Sequence, residues 1–103
     1  MTVSGFLSVA PVVEGSMAAE VATAVDALED FDVAYETTAM GTLIEADDAA
    51  ELFEAAAAAH AAVDADRVST FLKVDDKRSG DDPMGAKVDR VEAELGREAR
   101  SDR

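Results

Sequence analysis

Cysteine and tryptophan are absent from this chain of 103 residues, and histidine occurs once, at His60. Without thiols there is neither a disulfide framework nor a thiolate metal site. With one histidine, no His-His metal pair forms, and no serine nucleophile system can draw on a second imidazole. Glycine usage lacks GxGxxG and the GxxxxGK ending of a phosphate loop. The segment "PVVEGS" offers only backbone N–H groups and Ser16 before a helix. No apolar run approaches the roughly 20 residues of a membrane span. The opening "MTVSGFLSVAPVVEG" carries no basic leader and reads as a strand, so cytoplasmic residence is expected.

Basic residues are also scarce: 9 face 23 acidic ones, giving a formal charge of -14, and only three of the nine are lysines. Such a negative field repels phosphate backbones and anionic bilayers, which excludes nucleic acid and membranes as expected partners. The acidic residues are spread over every segment. That distribution fits a cytoplasm of multimolar salt, where the Debye length falls to about 3 Å and carboxylate repulsion is screened.

What the chain does have is enough apolar material, 49% of its residues, for one core. A domain this small buries only about two thirds of its unfolded surface, so assembly with copies of itself would add stability. Val3 to Val12 alternate, with Val3, Leu7 and Val9 on one side and Ser4, Phe6, Ser8 and Ala10 on the other, as in a strand. After Pro11 and Gly15, Ser16 is suited to cap a helix whose Met17, Val21, Ala24, Val25 and Leu28 share a face. Val33 to Thr38 and Thr42 to Ala46 read as a hairpin turning through "TAMGT".

Asp47 or Asp48 can cap a second helix with Ala49, Leu52, Phe53, Ala56, His60 and Val63 at helical spacing. Its alanine run, Ala55 to Ala59, favours helix and close packing on a sheet. Arg67 to Asp75 form a last strand with Val68, Thr70, Leu72 and Val74 toward the helices. A short third helix starts at Pro83 and aligns Met84, Val88, Val91 and Leu95 before Gly96.

The order β-α-β-β-α-β is that of a ferredoxin-like α+β domain: a four-stranded antiparallel sheet, two helices on one face, and a short C-terminal helix. Residues 1–96 form this single domain, and residues 97–103 a flexible tail. The uncovered sheet face would present Ser4, Phe6, Ser8, Ser69 and Phe71, too apolar for solvent and too polar for a core, which points to self-association.

Few residues invite chemistry. His60, on the apolar stripe of helix two, is either an imidazole at the edge of the core or a hydrogen-bond partner lining a pocket. Asp75-Asp76 and Asp81-Asp82 flank "KRSG", but their spacing is not that of a calcium loop, and solvated loop charge explains them. Asp75 ends a strand, where a carboxylate can be held rigidly. No nucleophile and oriented base occur together, so a binding protein is expected, not an enzyme.

Three stretches carry a more specific signal: "SVAPVVEGS" followed by the amphipathic helix, "YETTAMGTLIEADD", and "AAHAAVDADRVSTFLKVDDKR". Together they resemble the small thiamine-binding (YkoF-like) proteins of bacteria and archaea. The resemblance runs from Val3 to about Leu95 and is strongest at "MGTLIE", Met40 to Glu45, with "RVSTFLKVDDKR" in support. Ala46 stands where the family usually has glycine, and Ala65-Asp66 where glycine is common.

The resemblance implies a ferredoxin-like fold, association as dimers or tetramers, and non-covalent capture of thiamine or its aminopyrimidine moiety, a capture compatible with vitamin supply or salvage, while the residues themselves lead to the expectation of no cofactor and no metal. A thiazolium cation and an aminopyrimidine call for apolar walls, a carboxylate and hydroxyl partners. Met40, Gly41, Thr42 and Glu45 occupy the motif. Ser16 and Thr38 add hydroxyls, and Glu45 would accept from the amino group or offset the cation. The alternative is an effector-sensing or purely structural homo-oligomeric module that takes another small metabolite.

Overall fold

The alternation at the start of the chain produces strand β1 (Thr2–Pro11), with Val3, Leu7 and Val9 buried against the helices. In the computed structural model, which describes residues 1–103, it is followed by α1 (Ala18–Ala27) with a 3₁₀ turn (Leu28–Asp30), then β2 (Ala34–Thr37) and β3 (Thr42–Ala46). The chain continues through α2 (Ala49–Ala62), β4 (Val68–Lys77) and α3 (Met84–Leu95). The four strands make one antiparallel sheet in the order β2-β3-β1-β4, which is the ferredoxin-like arrangement. β1 lies at its centre: Ser4 pairs with Glu45 on one side and with Asp75 on the other.

α1 and α2 cover one face. Leu28 and Leu52 from the helical layer meet Val3 and Ile44 of the sheet, and these four are the largest fully enclosed side chains. The Asp48 carboxylate caps α2 by accepting from the Ala50 amide at 2.7 Å. The buried stripe of α2 is Leu52, Ala55, Ala56 and Ala59, an i, i+3, i+4, i+7 series. Phe53 and His60, expected on that stripe, sit one position further round the helix and are exposed. α1 begins at Ala18 with Met17 in the N-cap position, while Ser16, one residue earlier, accepts from the Ala18 amide at 3.3 Å.

β4 extends two residues beyond Asp75, and Thr70, expected toward the core, is exposed. α3 ends at Gly96, whose φ of 72° is left-handed. No α3 residue is buried, and Val88, Val91 and Leu95 are about half exposed. Polar contacts hold the helix instead. Pro83 offers no capping side chain, so the Glu45 carboxylate supplies the cap, accepting from the Met84 amide at 2.8 Å. Lys87 reaches Asp75 at 2.8 Å, and the Asp82 amide donates to Thr2 Oγ1 at 2.8 Å.

Glu45, Ser4 and Asp75 form one row across three strands, on the face away from α1 and α2. The segment leading into α3 covers this end, which explains why Thr2 and Ser4 are buried, although Ser4 was expected on an open surface.

Lys87 beside Asp75 and Arg90 beside Asp82 hold both carboxyls below the ordinary aspartate value. Lowered carboxylates stabilise the folded arrangement at all pH above the unfolded value of about 3.9 and stop doing so as pH falls through the folded values. These bridges are exposed, so the effect is local rather than global. The amide resonances of Met84 and Lys87 should therefore stay constant from pH 7 to about pH 5 and move below about pH 4 as α3 loosens. Movement between pH 5 and 7 in an NMR titration would assign the anchoring to other groups.

Candidate functional site

The two covering helices do not seat equally. α1 is buried at Ala24 and the 3₁₀ turn after it at Leu28, whereas Met17, Val21 and Val25 are only partly covered. A cavity of about 150 Å³ opens between these side chains, the end of β1 and the β2–β3 hairpin. That volume accommodates about one benzene-sized ring. Its lining includes Leu7, Val9, Met17, Val21, Val25 and the hairpin residues Thr37 to Thr42, and none of its lining residues carries a charge.

The hairpin turn is tied by Thr38. Its hydroxyl donates to the Gly41 carbonyl at 2.8 Å and accepts from the Met40 and Gly41 amides at 3.2 and 3.3 Å. That hydroxyl is thus committed to the turn. Thr37 and Thr42 pair across the hairpin, with their hydroxyl oxygens 3.1 Å apart. One hydroxyl proton lies between the two oxygens and the other is free, so the pair presents both a donor and an acceptor to a guest. Met40, 80% exposed, stands at the lip.

Gly41 is required for a steric reason. A Cβ there would fall 2.6 Å from Phe6 Cζ and 2.9 Å from the Leu7 carbonyl oxygen. The Phe6 ring presses on the hairpin backbone from the uncovered face and meets Phe71 edge-on at 6.3 Å.

Of the residues singled out in the sequence, Thr38, Met40, Gly41 and Thr42 line this cavity. Ser16 lies just outside it, on the α1 amide. Glu45 lies elsewhere, because it is three positions after Thr42 and an odd offset along a strand puts the two on opposite faces. His60 Nδ1 hydrogen-bonds Thr70 Oγ1 on the exposed side of α2 and β4, and Asp75 is paired with Lys87. Ala46, where the resemblance led one to expect glycine, is a core residue opposite Val3. Sequence reasoning missed Thr37 and the α1 wall. Thr37 was findable, since the hairpin register sets it directly against Thr42.

Residues 6–92 match the model of the family described as thiamine-binding protein. The chain belongs to the thiamine-binding protein family. The match takes in β1 from Phe6, the whole hairpin and most of α3. A UPF0045 protein of Methanothermobacter thermautotrophicus is 47% identical over 83 residues, which cover 78% of this chain and 84% of that one. The crystal structure of a Methanocaldococcus jannaschii protein superposes with a TM-score of 0.80 at 31% identity, covering 87% of this chain and 95% of that one. A thiamine biosynthesis/salvage candidate from Thermotoga maritima superposes at 0.76 with 20% identity, over 88% and 99% of the two chains, a likeness of fold alone. No helix is long and apolar enough to cross a membrane.

Gly41→Ala should cost about 1–3 kcal/mol in urea unfolding, the usual penalty of overpacking. Phe6→Ala in the same chain should recover part of the loss, because it removes the ring that clashes. A Gly41→Ala variant as stable as wild type would show that Phe6 moves aside freely.

Proposed function

We propose that this thiamine-binding family member captures thiamine or its aminopyrimidine moiety reversibly, in the cavity between α1 and the hairpin, and releases it chemically unchanged. The observation that carries the reading is an uncharged, ring-sized cavity closed by Thr37 to Thr42, the segment that runs into "MGTLIE". Apolar walls suit the faces of a flat heteroaromatic ring, and the Thr37–Thr42 hydroxyl pair suits its edge, where ring nitrogens accept and an amino group donates. The wall contains hydroxyls but no imidazole, amine or carboxylate to activate them, which supports binding rather than turnover.

Titration calorimetry tests this. Thiamine or the free aminopyrimidine should give saturable heat, and Thr42→Val should weaken it by about 0.5–1.5 kcal/mol, a neutral hydrogen bond's share. Glu45→Gln should leave the heat in place while loosening α3. Heat from an unrelated metabolite and none from either of these compounds would favour an effector-sensing module instead.

We further propose a homo-oligomer that meets through the sheet face bearing Phe71, which is 59% exposed. The charge distribution supports this surface. All nine basic residues lie from Arg67 onward, matched there by nine acids, so the formal charge of -14 resides entirely in residues 1–66. β4 and α3 therefore form the one region where two copies can approach without net repulsion. Sedimentation velocity at micromolar concentration should show dimers or tetramers whose fraction rises with KCl, and Phe71→Glu should give monomers. A wild-type monomer at every salt concentration would sink the idea.

A further inference from the structure

β2 stands at one edge of the sheet, paired with β3 on one side and with no strand on the other. The backbone groups on its outer side have no partner in the chain. α1 overhangs this edge. Ala18 and Ala22 are exposed and Val21 and Val25 half-covered, and the four line an open trough of about 450 Å³ beside β2. They recur at helical spacing, so they form an apolar stripe of α1 that the four strands do not cover. Tyr35 and Thr37 of β2 make the other wall. The Tyr35 hydroxyl donates to Glu29, which fixes the ring in place. This is the environment that a further strand needs: unpaired backbone on its flank and an apolar roof over its alternate side chains.

The charge selects among occupants. Residues 26–36, around the trough, contain five acids and no base. None of the five enters an ion pair. Pairing β2 with β2 of a second copy would set Asp26 and Glu36 against their own kind, and a short acidic edge resists such pairing. The β4 edge of a second copy carries Asp75 and Asp76 with Lys73 and Lys77, so it gains nothing from a negative field. A cationic strand gains from it at every approach.

We propose that the trough and the outer edge of β2 form a docking site for an extended segment of a partner protein in which lysine or arginine alternates with small apolar residues. The segment pairs its backbone with β2 and sends its apolar side chains under α1. Its basic side chains fall on the other face, beside Glu36, because Tyr35 and Thr37 take the trough side and strand residues alternate. The assignment is independent of what the cavity holds.

Tyr35 is the single tyrosine of a chain without tryptophan, so its emission reports on the trough directly. Titrating the full chain with acetyl-KVKVKV-amide should give a saturable change in that emission, and acetyl-EVEVEV-amide should give none. A strand turns alternate N–H groups to its two edges, and only one edge can meet β2. Of two lysine peptides N-methylated at odd or at even positions, one should therefore bind about tenfold more weakly and the other within about twofold of the parent. Ala22→Lys, at an exposed helix position, leaves an unpaired cation under the docked strand and should weaken binding about tenfold. Glu54→Lys, on the exposed side of α2, changes the net charge more and should weaken it less than about threefold. No saturable change with the lysine peptide would overturn the proposal. Equal behaviour of the two methylated peptides, or equal weakening by Ala22→Lys and Glu54→Lys, would reduce the contact to diffuse charge attraction and overturn it too. Dimers of the peptide-free protein that come apart in Ala22→Lys would give the trough to a second copy instead.

Discussion

Leu52, fully enclosed, lies over Gly5 of the central strand, with both its methyl carbons 3.3 Å from the point where a Cβ on that residue would sit. The absence of a side chain on Gly5 lets α2 settle onto the sheet, and the methyl groups of Ala55, Ala56 and Ala59 keep it close along its length. α1 has no equivalent. It is buried through Ala24 and then Leu28, and toward Met17 its larger side chains, Val21 and Val25, are left half-covered above the end of β1. The ring-sized cavity is the space left by that unequal seating. The cavity thus follows from where the small residues fall, Gly5 and the alanines between α2 and the sheet and the valines on α1.

Much of the architecture was legible because it is written in local periods. The alternation of β1, the turn signal around Gly41, Asp48 before α2 and Gly96 after α3 each depend on residues within a few positions of one another. The face of α2 was harder to read. An alanine run has little contrast between its sides, so Phe53 and His60 looked as interior as Leu52 until packing separated them. The motif "MGTLIE" was legible as a string, yet its two faces were not kept apart: Thr42 looks to the cavity and Glu45 to the start of α3. No local pattern announces that a carboxylate in the hairpin will cap a helix beginning at Met84. That contact depends on the path of the chain between Lys77 and Pro83, and only the assembled fold reveals it.

The charge is divided along the chain. The helical layer, the hairpin and the cleft come from residues 1–66, which contain carboxylates and no base, whereas every ion pair in the structure draws its acid from β4 or the residues after it. The charged side chains of residues 1–66, from which the cavity is built, are all acidic. The segment that carries Phe71 and α3, from Arg67 on, is balanced and held by specific pairs.

The pairing of β1 also governs the order in which the protein can be made. Its hydrogen-bond partners arrive late: β3 begins at Thr42 and β4 at Val68, so the central strand leaves the ribosome long before either neighbour exists. Only the β2–β3 hairpin closes locally. Such long-range pairing slows folding and leaves an alternating apolar strand unpaired in the growing chain. The charged side chains of residues 1–66 are all acidic, since the first Lys or Arg is Arg67. Once Glu14 and the acids after it are made, these side chains favour mutual repulsion between neighbouring copies, and the bases that offset it lie in β4 and beyond.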